Sequence, residues 1–260
     1  MQTESGLVDT TESKAEYFLS APEIIGHIGF FPVTNTLFTS LLITVFLSII
    51  AFSISKKLSM VPGKLQAFME IIIEYIFKLT EQIAGSKAPV FFPWLMTFVL
   101  FILTANLSGL LPGFSSIGIY KIIDGTKTFI PFFHSINADL NSTLALAFIS
   151  LFITHFFAIR FLGIKAYLQK WFSTKMFGIA LFVGMLELVS EFTKIISLSF
   201  RLYGNIQAGK VMLKTAKSFY PFVLPLPFYI MEIMVAFIQT AVFMMLTLVF
   251  MRILSSKQIH

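Results

Sequence analysis

The chain has 260 residues, of which 57% are hydrophobic and only 12% are charged, and its formal net charge is +6. Because a soluble domain typically carries about 25% charged residues, this composition excludes an ordinary soluble protein and indicates an integral membrane protein. The chain has no cysteine, which excludes disulfides, thiolate metal sites and cysteine nucleophiles.

The first 28 residues form an acidic, polar N-terminal tail with five acidic side chains and one basic side chain. A cleavable secretory signal would open with basic residues followed by an apolar run, so this tail is not predicted to be one. Residues 29–260 are predicted to form a single membrane domain. Its basic residues lie largely in loops between apolar segments, which favours the positive-inside rule over a nucleic-acid surface.

Three apolar segments have the length of a transmembrane helix, since about 20 residues span the ~30 Å hydrocarbon core of a bilayer. They are residues 34–54, 92–111 and 137–159. Lysines follow the first segment, and the link at residues 160–175 holds four basic residues and no acid. The N-terminus is therefore predicted outside, and the C-terminus on the cytoplasmic or matrix side. Residues 112–136 are expected to be an outer loop.

Residues 61–85 predict an amphipathic helix instead of a span. Pro62 suits a helix start and Gly85 a helix stop. Apolar residues recur at steps of three and four, whereas Glu74 and Lys78 lie on another face in the favourable order for an ion pair. We expect this helix to lie along the membrane surface, packed on the transmembrane bundle.

Two longer apolar helices are predicted near the C-terminus, at residues 177–215 and 227–254, with Pro221 and Pro225 between them. At 1.5 Å per residue they would be ~58 Å and ~42 Å long, too long to stand upright in a ~30 Å core. The predicted fold class is therefore an all-α integral membrane protein, with transmembrane helices, one amphipathic surface helix and a long, strongly tilted C-terminal helix hairpin.

A polar stripe runs along the first helix of this hairpin, because polar residues recur there at three- and four-residue steps. The stripe comprises Glu187, Ser190 or Glu191, Lys194, Ser197, Arg201 and Asn205. Arg201 keeps its charge in any environment, although a charge near the bilayer midplane costs at least ~2.5–3.5 kcal/mol. On the final helix, Glu232 and Gln239 are seven residues apart and share a face.

The residues alone leave two interpretations of Arg201 open. Polar groups along a tilted helix favour aqueous access and ion movement, whereas the alternative is a structural salt bridge. The candidate partners for such a bridge are Glu232, Glu187 and Asp139. No serine has an oriented base and acid that would make it a nucleophile. His134 and His155 are expected to be packing histidines, so no metal and no cofactor is predicted.

Several motifs resemble those of one family. SLSFRLYGNIQAG, at residues 197–209, is similar to the signature of subunit a of the rotary F-type ATP synthases. VPGKLQAFMEIIIEYI, FVLFILTANLSGLLPG, NADLNSTLALA and MEIMVAFIQTAVFMMLTLVF resemble further segments of that family and follow in the same order. The resemblance covers the chain except for its acidic N-terminal tail.

The resemblance implies a proton-translocating stator subunit, non-catalytic on its own, that couples proton flow to rotation and ATP synthesis. Arg201 would face the carboxylate of a rotating c-subunit ring, against which the tilted hairpin packs, and two offset half-channels would carry protons to and from it. The outer half-channel would contain Glu232, Gln239, Asn205, Asp139 and Lys210. The inner one would contain Glu187, Ser190 and Ser197. Further implied partners are b-type peripheral-stalk subunits, other ATP synthase subunits and membrane lipids.

Two positions depart from the family pattern. Ile195 stands where the family often has proline, and Lys210 where it often has glutamate or histidine. Our hypothesis is that Lys210 and Glu232 face each other within about 8 Å or through one water. Both a bacterial plasma membrane and a mitochondrial inner membrane fit the charges, and protons are favoured over sodium ions. The alternatives are an independent ion channel, a secondary transporter and a structural scaffold, but no filter-like loop or repeat supports the first two.

Overall fold

The computed structural model describes residues 22–29, 31–56, 62–111, 113–114, 117–123, 126–171, 177–220 and 223–256. α-Helices dominate this part of the chain. The helices are α1 (Asn35–Lys56), α2 (Lys64–Ala84), α3 (Ala88–Leu110), α4 (Leu140–Leu162), α5 (Ile164–Trp171), α6 (Phe177–Phe219) and α7 (Pro225–Ser255). The strands are β1 (Ile24–Ile28), β2 (Phe31–Thr34), β3 (Gly118–Ile123) and β4 (Thr126–Pro131).

Four helical segments among the described residues are long and apolar enough to cross a membrane. They are Asn35–Lys56, Gln66–Leu110, Leu140–Leu162 and Pro225–Ser255. The prediction of an all-α integral membrane protein is therefore confirmed. The second segment combines α2 and α3, which are joined by a short 3-10 turn at Gly85–Lys87. At Gly85 the backbone φ is 58°, a value that favours glycine and ends α2 where the sequence predicts.

The two C-terminal helices are longer than the bilayer core is thick. α6 has 43 residues and α7 has 31, so at 1.5 Å per residue they measure about 65 Å and about 47 Å. Both are somewhat longer than the sequence analysis expects, because α6 continues to Phe219 and α7 already begins at Pro225. Proline is well tolerated in the first turn of a helix, where its missing N–H has no helical partner.

Two antiparallel hairpins add β-structure that the sequence analysis missed. β1 pairs with β2, with an irregularity between Ile24 and Gly26, and β3 pairs with β4 in a continuous register. The expected outer loop at residues 112–136 therefore contains a hairpin, and the acidic tail ends in a strand. The short helix α5 likewise lies inside the link that was expected between residues 160 and 175.

The chain forms two compact units. The first unit comprises Met1–Val45, Leu103–Thr143 and Leu202–Phe237, and the second unit comprises Phe46–Ile102, Leu144–Arg201 and Ile238–His260. Buried apolar residues of the first unit include Ile130, Ile136 and Leu202. In the second unit Phe91 packs edge-on against Phe157, with ring centroids 5.2 Å apart. The single membrane domain over residues 29–260 stays a prediction.

Candidate functional site

Arg201 is exposed and lies on the wall of a cavity of about 530 Å³ in the second unit. Helix α6 contributes Ser190, Lys194 and Ser197 to the same wall, and α7 contributes Phe250. These α6 residues follow the three- and four-residue steps of one helix face, which is why they reach one cavity. The structure therefore brings together Arg201 and two of the predicted inner-side residues, Ser190 and Ser197.

Arg201 makes no ion pair within 4.0 Å with any acidic side chain that the structure describes in the second unit. Among those residues the ion pairs join Lys78 to Glu74 and Lys194 to Glu191, and the ring of His155 lies 3.7 Å from the Glu191 carboxylate. Asp139 and Glu232, two of the acids considered as its salt-bridge partners, belong to the first unit, and those pairings stay predictions. Glu187 lies within α6, but its side chain falls outside the described residues.

Four polar side chains of the second unit form a connected line that the sequence analysis did not recognise. Lys194 Nζ donates a hydrogen bond of 2.7 Å to Glu191 Oε1, and His155 Nε2 lies 3.7 Å from Glu191 Oε2. The other ring nitrogen of His155 lies 2.9 Å from the hydroxyl of Tyr167. Glu191 is only 5% exposed. The spacing of Glu191 and Lys194 is visible in the sequence, but their proximity to His155 depends on helix packing.

In the first unit, buried amides and a carboxylate meet near the start of α4. Asn137 Nδ2 donates a hydrogen bond of 2.6 Å to Asn106 Oδ1, and both side chains are buried. The buried carboxylate of Asp139 accepts a hydrogen bond of 3.0 Å from the backbone N–H of Asn141 and one of 3.4 Å from the hydroxyl of Ser142. Asp139 is therefore the N-cap of α4, satisfying one of the amide groups that a helix start leaves unpaired.

The other predicted outer-side residues differ in exposure. Glu232 is only 4% exposed and lies against Gly209 of α6, while Asn205 is half-buried. These three residues belong to the first unit, whereas the buried Gln239 belongs to the second. The structure therefore divides the predicted outer-side residues between the two units.

Lys210 is half-buried and acts electrostatically on His134, a buried residue just before α4. Burial and then the positive charge of Lys210 lower the pKa of His134 from 6.5 to about 3. The backbone N–H of His134 donates a hydrogen bond of 3.2 Å to Thr39 Oγ1. No ion pair within 4.0 Å joins Lys210 to Glu232 among the described residues, and the proposed pairing over a longer distance stays a prediction.

Comparison with known proteins identifies the family. A family model described as ATP synthase A chain matches residues 35–252 of this sequence. The chain belongs to the ATP synthase A chain family. The matched region includes every residue singled out above for the polar stripe and for the final helix, and the resemblance inferred from the motifs is confirmed.

Curated relatives agree with this membership. The chain is 35% identical to ATP synthase subunit a of Geotalea daltonii over 211 residues, which cover 81% of this chain and 83% of that protein. It is 34% identical to ATP synthase subunit a of Geobacter sulfurreducens over the same shares. It is 31% identical to ATP synthase subunit a 2 of Syntrophotalea carbinolica, over 90% of each chain. This subunit is therefore a membrane component of a proton-transporting ATP synthase.

Proposed function

We propose that this subunit is the proton-translocating stator subunit in which Arg201 meets the carboxylate of a rotating c-subunit ring. The observation that carries the proposal is an exposed arginine on a cavity wall, in a helix of 43 residues, with no acidic partner among the described residues of its own unit. A guanidinium in an apolar membrane region needs an anion or water. An exposed one can receive its anion from a passing carboxylate of another subunit.

The proposed chemistry follows from charge. An opposite charge within about 4–6 Å favours the ionised form of a carboxyl group, so a ring carboxyl group releases its proton as it reaches Arg201. That proton leaves by one half-channel, and a second proton neutralises the carboxylate from the other side after the ring has moved. The charge of Arg201 also repels a proton that would cross directly between the half-channels. Each transferred charge contributes about 2.3 kcal/mol per 100 mV of membrane potential.

The inner half-channel is proposed to contain Ser190 and Ser197, together with Glu187. The location of both serines on the wall of the Arg201 cavity supports this assignment. The outer half-channel is proposed to contain Glu232, Gln239, Asn205, Asp139 and Lys210. Its support is the burial of Glu232, Gln239 and Asp139, because buried acids and amides in a membrane protein are expensive to keep and commonly mark ion pathways.

Uncovered apolar surfaces support the proposed partners. Leu186 and Val189 are exposed on α6 and line the same cavity wall as Arg201. We propose that the c-subunit ring packs on this face. Phe46 and Phe52 are likewise exposed on α1, where membrane lipids or a b-type peripheral-stalk subunit would cover them. The proposed location is an energy-coupling membrane, with the N-terminus outside and the C-terminus on the cytoplasmic or matrix side.

The experiment that tests this function compares Arg201→Ala with Arg201→Lys in the assembled complex, with ATP synthesis driven by an imposed proton gradient. Lys214→Ala is the matched control, since Lys214 is an exposed cation elsewhere on α6. We expect both Arg201 variants to assemble and to lose synthesis, and the control to keep it. Full activity of Arg201→Ala would defeat the proposal, whereas failure to assemble would favour a structural role for the arginine.

A further inference from the structure

The line of side chains from Tyr167 through His155 and Glu191 to Lys194 has no place in the half-channel assignments above. Its members come from α5, α4 and α6, and all belong to the second unit. Glu191, His155 and Lys194 have acidic or basic side chains, and Tyr167 offers a hydroxyl proton.

Glu191 is buried, but only one of its two carboxylate oxygens has a hydrogen-bond partner among the described residues. Its Oε1 accepts a hydrogen bond from Lys194, but its Oε2 is buried without a hydrogen-bond partner. A buried carboxylate oxygen that lacks a partner is costly, and such atoms call for an explanation. The group nearest to this oxygen along the line is His155 Nε2, at 3.7 Å. A small side-chain rotation brings the two atoms within hydrogen-bond distance.

His155 is oriented for transfer between its two ring nitrogens. Nδ1 lies 2.9 Å from the Tyr167 hydroxyl, so the hydrogen bond on that side holds Nε2 toward Glu191. An imidazole can accept a proton at one nitrogen and release a different proton from the other. The charged and titratable groups recorded around the ring are Tyr167 from α5, and Glu191 and Lys194 from α6.

The two ends of the line lie at different sites in the second unit, one at the Arg201 cavity and one on α5. At one end Lys194 lines the same cavity as Arg201, and its ammonium lies 4.9 Å from the centroid of the Phe250 ring. At the other end Tyr167 is half-buried on α5, in the link whose basic residues predict an inner-side location. The line therefore connects the cavity with the surface at α5.

We propose that Glu191 and His155 form a proton-transfer pair that carries protons between the Arg201 cavity and the surface at α5. The pair forms a branch of the inner half-channel, and this inference rests on the proposed function. A proton from the cavity is taken up by Glu191 at Oε1, beside Lys194. Rotation of the protonated carboxyl group presents this proton to His155 Nε2, and its transfer leaves a carboxylate and an imidazolium. The imidazolium releases its Nδ1 proton to the Tyr167 oxygen as the Tyr167 hydroxyl proton passes to water. One proton has then moved, and all three groups regain their starting charges. His155 is left protonated at Nε2 and must return to the Nδ1–H tautomer before the next transfer.

Lys194 has a distinct role in this proposal. Its ammonium, 2.7 Å from Glu191 Oε1, fixes the position of the carboxyl group by a charge-assisted hydrogen bond. Lys194 is thus a positioning residue, because it acts on the proton through Glu191.

The test uses the assembled complex with the variants Glu191→Gln, His155→Gln and the two combined. Passive proton flux is measured after removal of the catalytic head, over a range of inner-side pH around the ordinary histidine pKa of about 6.5. Proton transfer by a positioned side chain contributes about 10²–10⁴-fold to a rate. Because a parallel path through water would carry part of the flux, we expect a smaller effect, and each variant should lower the flux at least about tenfold. The double variant should be no slower than the slower single variant, since both residues act in series.

The matched control is Ser150→Ala. Ser150 is buried in the same unit and pairs with Thr247 at 2.8 Å, outside the line. We expect this control to leave both the flux and its pH profile unchanged. His155→Gln should in addition flatten the dependence of the flux on inner-side pH, a change that a merely structural role would not produce.

Wild-type flux and pH profile in assembled Glu191→Gln and His155→Gln complexes would overturn the inference. If Glu191→Gln does not assemble, His155→Gln and Tyr167→Phe take its place, and wild-type flux in both would overturn the inference. Tyr167→Phe is a mild change because it removes only the hydroxyl group. The two proposals fail differently. Full activity of Arg201→Ala would reject the proposed function. If Arg201→Ala loses activity while the His155 and Glu191 variants keep a normal proton flux, only the proposed branch is rejected.

Discussion

Gly209 of α6 lies directly against the carboxylate of Glu232 on α7. A Cβ atom built on Gly209 would overlap both carboxylate oxygens, and Glu232 is almost completely buried. Small residues allow neighbouring helices to approach closely in a membrane, and here the space left by the absent side chain is filled by an acid. The position of the Glu232 carboxylate therefore depends on residue 209 remaining glycine.

Replacing this glycine should displace the acid. We expect Gly209→Ala to shift the Glu232 carboxylate, because the new methyl group would occupy the place of this flexible side-chain end. The displaced acid should lower proton-driven ATP synthesis by about tenfold, equivalent to about 1.4 kcal/mol. Gly204→Ala is the matched control on the same helix, because a Cβ atom at Gly204 meets nothing within 4 Å. Equal activity of the two variants would show that the position of Glu232 does not matter.

The buried amide pair of Asn106 and Asn137 predicts a stability effect. Asn106→Leu removes the partner of the Asn137 side-chain amide and leaves it buried without a hydrogen bond, at a cost of about 1–3 kcal/mol. We expect a lower midpoint of thermal unfolding for the detergent-solubilised complex. Ser108→Ala serves as the control, since Ser108 only bonds to the carbonyl oxygen of Ala105 in its own helix. If Ser108→Ala lowers the unfolding midpoint as much as Asn106→Leu does, the hydrogen bond between Asn106 and Asn137 is not what stabilises the complex.

Asp139 has two proposed roles that can be separated. Asparagine is as good an N-cap as aspartate, whereas alanine costs about 0.5–2 kcal/mol of stability. We therefore expect Asp139→Asn to keep the thermal stability of the complex and to lower ATP synthesis, because the ionisable group is lost. Asp139→Ala should lower both. If the Asp139→Asn complex is stable and synthesises ATP at the normal rate, Asp139 acts only as a helix cap and has no role in the proton path.

The low pKa of His134 predicts that the folded protein loses stability as the pH falls. Burial and the charge of Lys210 lower this pKa to about 3, whereas the unfolded chain binds the proton near pH 6.5. The unfolded state then holds more protons, so the contribution of neutral His134 is complete above about pH 6.5. It falls by up to about 1.4 kcal/mol per pH unit as the pH drops from about 6.5 toward the folded pKa.

Thermal unfolding midpoints measured from neutral pH down to about pH 5 check this prediction. His134→Gln should lose less stability over that interval than the unaltered chain. Lys210→Met should also lose less, because removal of the positive charge raises the pKa of His134 toward its ordinary value. If all three chains lose stability in parallel, His134 does not control the acid response.

Hydropathy and helical periodicity were sufficient to predict the all-α membrane fold. Hydrophobic segments of about 20 residues have few alternatives in a bilayer, and Gly85 ends α2 where expected. The β3–β4 hairpin was missed although β-branched residues flank the dipeptide Asp124-Gly125, a common hairpin signal. The apolar composition of the whole chain made a short strand pair difficult to distinguish from a loop between spans.

The site was predictable only where it lies on one helix. Ser190, Ser197 and Arg201 share a cavity because they share a helix face, which follows from spacing alone. The proximity of His155 to Glu191 joins helices far apart in the sequence and depends on how those helices pack. The same holds for the effect of Lys210 on His134, whereas the sequence suggested Glu232 as the partner of that lysine.

The most direct test of the central claim is the passive proton permeability of membranes that contain the assembled Arg201→Ala complex, measured together with ATP synthesis. If Arg201 both receives the ring carboxylate and keeps the half-channels apart, its removal should abolish synthesis and raise the passive proton flux above that of the Lys214→Ala control. Synthesis at the control rate, with no increase in proton flux, would contradict the account.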